Sequence, residues 1–457
     1  MKKFKFSKAY VAQFMYRFAF LLFVPFLQGL LFSSYGFDKL FTLYSIDIAL
    51  IIFLLAVAFL SQRKASLQLS GKIYLLKQGV LFKRKNLSVI KNSNLTLVRP
   101  LLLRILRAGR LRISSGLGVG NAYLKTKDAL TLFEEEEKDC ITNFRSSLLR
   151  TALMSAVFSN SLTGLLAAVP FLRRTASLLG ARQTALIIQG VNLEGWLALR
   201  GLPPFISRFS SILFTCWAVG FFTEFFREYN LSLSFSKDRI YIRKGLVTLS
   251  RVKFTKESVR TLTSKQSLLL FFCGLYSMQA AVNLSPKRKI HILSAAKRTR
   301  CYDIEELIFG KESKPLKEAS PPLEALHSYT LLPLFFISLI SLTIIFLGSS
   351  LFTLLPAGIA LSLSIIFYFF RIYGFFRSSV TIWHNKCEIR YFSGMNFVRT
   401  IFKRENIISV TLSQNPFQRF SKRCNLIITL RHTAKLKVKI KHLEKNSADY
   451  IRKMLIL

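Results

Sequence analysis

Two uncharged apolar runs, Leu331 to Leu347 and Leu351 to Phe370, are separated only by Gly348-Ser349-Ser350. A helix needs roughly 20 apolar residues to cross the ~30 Å hydrocarbon core of a bilayer. So short a connection brings the second run back beside the first. The pair therefore reads as a transmembrane hairpin, which argues against a simple soluble globule.

The same feature recurs twice in the chain. Met15 to Phe32 and Tyr44 to Leu60 are apolar, with only Asp38 and Lys39 charged between them. Lys2, Lys3, Lys5 and Lys8 precede this pair, and Arg63 and Lys64 follow it. Cytoplasmic flanks carry the excess of Lys and Arg, so both ends are expected inside. Met1-Lys2-Lys3-Phe4-Lys5 resembles the start of a signal peptide, but no small-residue cleavage site follows, which predicts an uncleaved first span. The middle pair is Thr151 to Leu172 and Ser210 to Phe226, with Arg173, Arg174, Arg182 and Arg200 between them. Those arginines oppose an outside location. The charge of the segment that follows favours a hairpin over one span plus an amphipathic surface helix. The expectation is a multi-pass cell-membrane protein of about six transmembrane helices in three hairpins, with both termini cytoplasmic. Arg17, Arg208 and Glu224 lie near span ends, where snorkelling accommodates them.

Lys and Arg total 66 against 23 Asp and Glu, a net charge of +43, while 51% of residues are hydrophobic and the mean hydropathy is +0.36. That combination fits apolar spans joined to basic segments that face an anionic inner leaflet. Nucleic acid would also attract such charge, but no zinc-finger, basic-zipper or aromatic RNA-binding pattern accompanies it, and no nucleic-acid partner is expected. Six cysteines without a CxxC pair read as reduced thiols. His291, His327, His384, His432 and His442 are dispersed, so no metal or cofactor is expected. Gly116 to Gly120 lacks the Lys-Ser/Thr and following helix of a phosphate loop and reads as a strand turn. No nucleophile or paired-carboxylate motif appears, and the chain is read as a non-enzyme. Glu134 to Glu137 is expected at the start of a helix, where the dipole favours anions.

Between and after the hairpins lie three polar segments with one internal order. Ile73-Tyr74-Leu75-Leu76-Lys77-Gln78-Gly79, Ile240-Tyr241-Ile242-Arg243-Lys244-Gly245 and Cys387 to Gly394 are each a short strand ending at a turn glycine. A second strand, a polar stretch (Lys256 to Leu262; Lys403 to Val410), an apolar-basic run, further strands and a closing helix follow, the helix clearest at Leu443 to Leu455. Repeats of this size indicate domain duplication. The expected boundaries are hairpins at 1–61, 151–227 and 331–376, strand-rich domains at 62–150, 228–311 and 377–457, and a linker at 312–330.

This unit resembles the bacterial pleckstrin-homology-like domain, and three units each preceded by a hairpin resemble the YdbS/YdbT-type membrane family, YdbT most closely. The resemblance implies an α+β membrane protein with three small β-barrels, each of seven strands and capped by a C-terminal helix. It also implies a smaller YdbS-like partner with one such domain, and it carries over no catalytic residues. Pro100 and the Gly116 to Gly120 stretch depart from the pattern in the first unit. Leu268 to Phe272 lacks the basic residues of its counterparts, which points to protein or lipid tails as its contact.

The candidate contacts with anionic lipid or a partner are the basic clusters Lys83-Arg84-Lys85, Arg104 and Arg107, Lys287-Arg288-Lys289, Arg419 with Lys422 and Arg423, and Lys437 with Lys439. Lys435 to Lys441 alternates Lys with apolar residues, as a strand with one charged face does. Lys297-Arg298 is a further basic pair. The expected function is a non-enzymatic membrane scaffold presenting these domains to anionic lipid or protein partners, in a setting such as envelope stress or resistance to membrane-active agents. The competing readings are a transporter or export component with a membrane-embedded path, and a lipid-modifying enzyme.

Overall fold

In the computed structural model the described residues are 2–16, 37–70, 73–80, 83–90, 94–115, 118–137, 142–158, 204–282, 289–311, 314–347, 351–394, 396–431 and 436–456. The chain divides into two compact units. The first comprises Met1–Phe144, Ser232–Ser258 and Asn283–Ser285; the second comprises Arg145–Leu231, Val259–Val282 and Pro286–Leu457.

Elements follow one order three times. The first pass is β1 (Lys2–Lys5), α1 (Ala9–Tyr16), α2 (Phe37–Lys64), β2 (Ser66–Ser70), β3 (Ile73–Val80), β4 (Lys83–Ile90), β5 (Asn94–Arg99), α3 (Leu101–Ile105), β6 (Ala108–Ser115), β7 (Gly118–Lys125) and α4 (Thr126–Glu137). The second is β8 (Thr142–Arg145), α5 (Leu148–Phe158), α6 (Pro204–Glu228), β9 (Ser232–Phe235), β10 (Arg239–Lys244), β11 (Leu249–Thr255), β12 (Val259–Ser267), α7 (Leu268–Phe272), β13 (Leu275–Val282), β14 (Ile290–Lys297) and α8 (Arg298–Phe309). The third is β15 (Lys317–Ala319), α9 (Leu326–Leu347), α10 (Leu351–Phe376), β16 (Ser379–Ile382), β17 (Lys386–Ser393), β18 (Asn396–Lys403), β19 (Ile407–Ser413), α11 (Pro416–Phe420), β20 (Arg423–Leu430), β21 (Leu436–Glu444) and α12 (Lys445–Ile456). Each pass places a short strand before the long helices, so the helices interrupt the strand-rich part. The boundaries expected at 62, 228 and 377 separate β1, β8 and β15 from the strands they pair with.

The sheets do not respect the repeats either. Within the first unit, β1 to β4 form one sheet, and a second runs β7-β6-β5-β11-β10-β9-β8. Within the second unit, one sheet runs β14-β13-β12-β18-β17-β16-β15 and the last is β19-β20-β21. The fifth strand of one repeat thus pairs antiparallel with the fourth strand of the next: Leu249↔Arg99 to Lys253↔Leu95, and Thr261↔Phe402 to Ser267↔Asn396. Unpaired edge strands leave backbone N–H and C=O groups open to such pairing. Three self-contained barrels were the expectation; continuous sheets across repeats replace it.

Two cores are clear. In the first unit Leu67, Leu76, Leu95, Leu97, Leu111 and Ile113 pack under Ala129 and Phe133 of α4. In the second unit Val380, Ile389, Phe402, Leu426, Ile428, Val438 and Ile440 pack under Ala448, Ile451 and Leu455 of α12. The last three recur at helical spacing and form one apolar stripe. Gly245 has φ +103°, and a Cβ there would collide with the Thr248 carbonyl, which explains the turn glycine. Glu134 to Glu137 closes α4 instead of opening it, a correction to the dipole argument. Gly118 and Gly120 lie in β7, opposite Ser115 and Ile113 of β6.

Six crossings are expected; among the described residues two helical stretches are long and apolar enough to span a bilayer, Leu323–Phe346 and Ala357–Phe376, with mean hydropathies of 2.2 and 1.8. Their helices α9 and α10 extend both expected runs, because Arg371 stays in the helix and donates from Nε to the Tyr329 carbonyl at 2.8 Å. Gly374 lets the Phe392 ring lie against α10 where a Cβ would collide with it. α2 covers the expected span Tyr44 to Leu60, and α6 covers Ser210 to Phe226. Most of Met15 to Phe32 and of Thr151 to Leu172, with Arg173, Arg174, Arg182 and Arg200, lies outside the described residues, as do Cys140 and Gly348 to Ser350.

Candidate functional site

Successive strand residues alternate faces, so Glu388 and Arg390 of β17 share one face, and Arg399 of β18 sits directly opposite Arg390. Two like charges across a ladder repel, and Glu388 resolves this. Its side chain is 2% exposed and accepts Arg399 Nε at 2.6 Å and Nη2 at 2.8 Å, and it also pairs with Arg390. Arg399 turns its remaining Nη1 to both oxygens of Glu305 on α8, at 2.6 and 2.8 Å. On α8, Arg298, Tyr302 and Glu305 follow at helical spacing and share a face. Arg298 donates to the Tyr302 hydroxyl at 3.1 and 2.8 Å, and Arg399 lies 4.7 Å over the Tyr302 ring.

Arg298, Tyr302, Arg390 and Arg399 line a cavity of about 40 Å3 together with Ser264, Tyr276, Cys301, Phe397 and Arg377. That is room for roughly three waters, or for the oxygens of a phosphate. Arg377 immediately follows α10 and stacks over Tyr373 at 4.6 Å. Neither Arg298 nor Arg377 is ion-paired among the described residues. Four guanidinium groups against the two carboxyls that Arg399 binds leave a surplus of positive charge, carried by Arg298 and Arg377, of the kind that attracts phosphate.

Burial opposes ionisation of both carboxyls, with different outcomes. At Glu388 the hydrogen bonds and charges of Arg399 and Arg390 prevail and hold the carboxyl below the usual range. At Glu305 burial prevails over Arg399 and pushes the pKa up to about 7. A raised carboxyl pKa means that the folded state holds the proton more tightly, so Glu305's contribution to stability falls as pH rises from about 4.3, the free value, through about 7. Glu388 acts in the opposite sense, its contribution being lost as pH falls. Protonation of Glu305 also enlarges the positive surplus. Affinity for an anion of constant charge over this range, read with inorganic sulfate, is therefore expected to rise about fivefold from pH 8 to pH 6, on the order of 1 kcal/mol for one charge. Glu305→Gln should remove that dependence; an unchanged pH profile in the variant would contradict the assignment.

The sequence-predicted cations are scattered. Lys83, Arg84 and Lys85 open β4, paired with Val80, Gly79 and Gln78. Arg104 of α3 donates to the Leu246 carbonyl at 2.8 Å, and Arg107 turns the chain with φ 48°. Lys287 and Arg288 lie outside the described residues. Lys289 is drawn inward, its ammonium lowered to about 8 by burial and by Lys265. Arg419 and Lys422 are exposed, but Arg423 is buried and bonded to Glu324 at 2.9 Å, a structural ion pair where a surface contact was expected. Lys437, Lys439 and Lys441 are exposed between buried Val438 and Ile440. Lys439 and Lys441 line a cleft of about 280 Å3 with Asn415, Gln418, Asn425 and His442. His442 is lowered to about 4 by burial and the surrounding cations, so it is neutral at pH 7.

No metal-binding convergence is legible from residue spacing, yet Glu224 and Glu228 of α6 and His291 of β14 bring ligand atoms within 4.8 Å of one another. That donor set could hold a divalent cation. Arg227 pairs with both carboxylates, and Gln279 Nε2 lies 3.1 Å from His291 Nε2. The cluster is thereby compensated within the protein and joins α6 to β14.

A family model described as bacterial PH domain matches residues 332–456. The matched region runs from α9 to α12 and so contains the apolar helix pair, β16 to β21, and four pocket residues, Arg377, Arg390, Phe397 and Arg399. No curated protein matches the chain. A bacterial PH domain is an interaction module for lipid or protein.

Proposed function

We propose that this protein is a non-enzymatic, multi-pass scaffold of the cell membrane whose three PH-like repeats lie on the cytoplasmic side and hold the phosphate groups of anionic lipids. The observation that carries the reading is the guanidinium pocket beside the end of α10. Arg377 follows the last residue of an apolar stretch long enough to cross the bilayer, Ala357–Phe376, which sets it at headgroup depth. Exposed lysines such as Lys437, Lys439 and Lys441 add roughly 1 kcal/mol each toward an anionic surface. In this reading α2 and α6 belong to two further hairpins, giving six crossings with both termini inside.

The same reading includes a partner with a PH-like repeat of its own, such as a small single-repeat membrane protein. The support is topological. β11 and β18 each pair with the fifth strand of a preceding repeat, whereas their counterpart β4 ends its sheet among the described residues. An incoming strand adds to such an edge by main-chain hydrogen bonds.

Sided labelling tests the topology. Single cysteines at Arg110, Arg243 and Lys437, in a background with the native cysteines replaced, should react with a membrane-impermeant maleimide only in inside-out vesicles. Labelling of any of the three in intact cells would overturn the common cytoplasmic placement.

A further inference from the structure

α7 is a single apolar turn, Leu268-Leu269-Leu270-Phe271-Phe272, started by Ser267, whose hydroxyl accepts from the Leu270 N–H at 3.4 Å. Its inward residues are held by the long helices of the second unit. Leu270 packs with Met154 of α5, and the Phe271 ring lies 5.2 Å from Phe370 and 4.8 Å from Tyr373 of α10. Leu269 and Phe272, three apart and so on one face, remain 59% and 64% exposed. Phe370 and Tyr373 belong to the apolar stretch Ala357–Phe376. The exposed pair is therefore fixed at the level of the last turns of a membrane-crossing helix.

We infer that Leu269 and Phe272 form a wedge that inserts into the acyl region of the bilayer crossed by α10, a membrane contact made by the strand-rich part itself. The inference rests on the spanning role of α10. Continuity with that apolar helix selects lipid tails as the occupant. A phosphate or an acidic partner has no complement in a turn without a cation. The wedge also sets the depth of the arginine pocket, since Ser264 and Tyr276, on the strands flanking α7, line its wall. Leu101, Leu102 and Ile105 of α3 and Phe420 at the end of α11 expose apolar side chains at the same position in their repeats.

The test uses the full chain in phospholipid nanodiscs, with Trp196, Trp217 and Trp383 replaced by Phe, and a single Trp introduced either as Phe272→Trp or, as a reference within α9, Phe335→Trp. Lipids with brominated acyl chains should quench both emissions, and aqueous iodide should quench neither. Quenching of the Phe335→Trp reference alone, with iodide reaching position 272, would overturn the wedge while leaving the spanning helices intact. Failure to quench either would overturn the spanning reading and the wedge with it. Should the tryptophan replacements impair folding, a nitroxide on the native, exposed Cys273 in a chain with Cys140→Ser serves instead. Greater accessibility to oxygen than to a water-soluble nickel chelate supports insertion, and the reverse order refutes it.

Discussion

Arg399→Ala is expected to cost about 3–5 kcal/mol of folding stability, the usual consequence of stripping the partner from a buried ion pair. Glu388 and Glu305 are 2% and 9% exposed at the side chain, and Arg399 binds both. Without it, the desolvated Glu388 and Glu305 carboxyls keep only Arg390, which pairs with Glu388. A loss of that size is comparable to the whole stability of many domains. The mechanism is separable from a general packing defect. The triple variant Arg399→Met, Glu388→Leu, Glu305→Gln removes the charges together and should recover most of the loss, because an ion pair replaced by apolar groups of similar volume is often neutral. Thermal unfolding of the detergent-solubilised chain reads both. A loss below about 1 kcal/mol in the single variant, near the median of exposed pairs, would show that the network is solvated and the pocket open.

Local patterns in the sequence reached a long way. The α9–α10 hairpin follows from two uncharged runs, and the alternation of Lys437, Lys439 and Lys441 with Val438 and Ile440 is a strand with one wet face. The order of strands, one-turn helix and closing helix recurs because each repeat encodes it with its own apolar periodicity. Sheet partners were not legible. The pairing of β5 with β11 and of β12 with β18 joins residues more than a hundred positions apart, and nothing in an edge strand's own sequence names its neighbour. β15 is three residues long, Lys317-Glu318-Ala319, too short for any alternation to mark a strand within the linker expected at 312–330.

The pocket was missed for a related reason. The basic clusters singled out were runs along the chain, whereas Arg298, Arg377, Arg390 and Arg399 come from α8, β17, β18 and the end of α10. The one local signal was the Arg298, Tyr302, Glu305 spacing on a helix face. Conversely, Arg423 looked like part of a surface cluster, and only the fold reveals Glu324 beside it.

The double variant Arg298→Ala, Arg377→Ala is expected to weaken anionic lipid binding about 30-fold. At roughly 1 kcal/mol for each cation near the surface, two lost arginines amount to about 2 kcal/mol, and ~1.4 kcal/mol is tenfold. The variant spares the Arg399 network, so folding should persist, and salt should reduce the difference by screening what lies near the surface. The most direct measurement is a titration of phosphatidylglycerol into the full chain in phosphatidylcholine nanodiscs, followed by native mass spectrometry of the retained lipid. The account predicts preferential retention of phosphatidylglycerol by the unaltered chain and loss of that preference in the double variant. Equal retention by both proteins, or no preference over phosphatidylcholine in either, would contradict it.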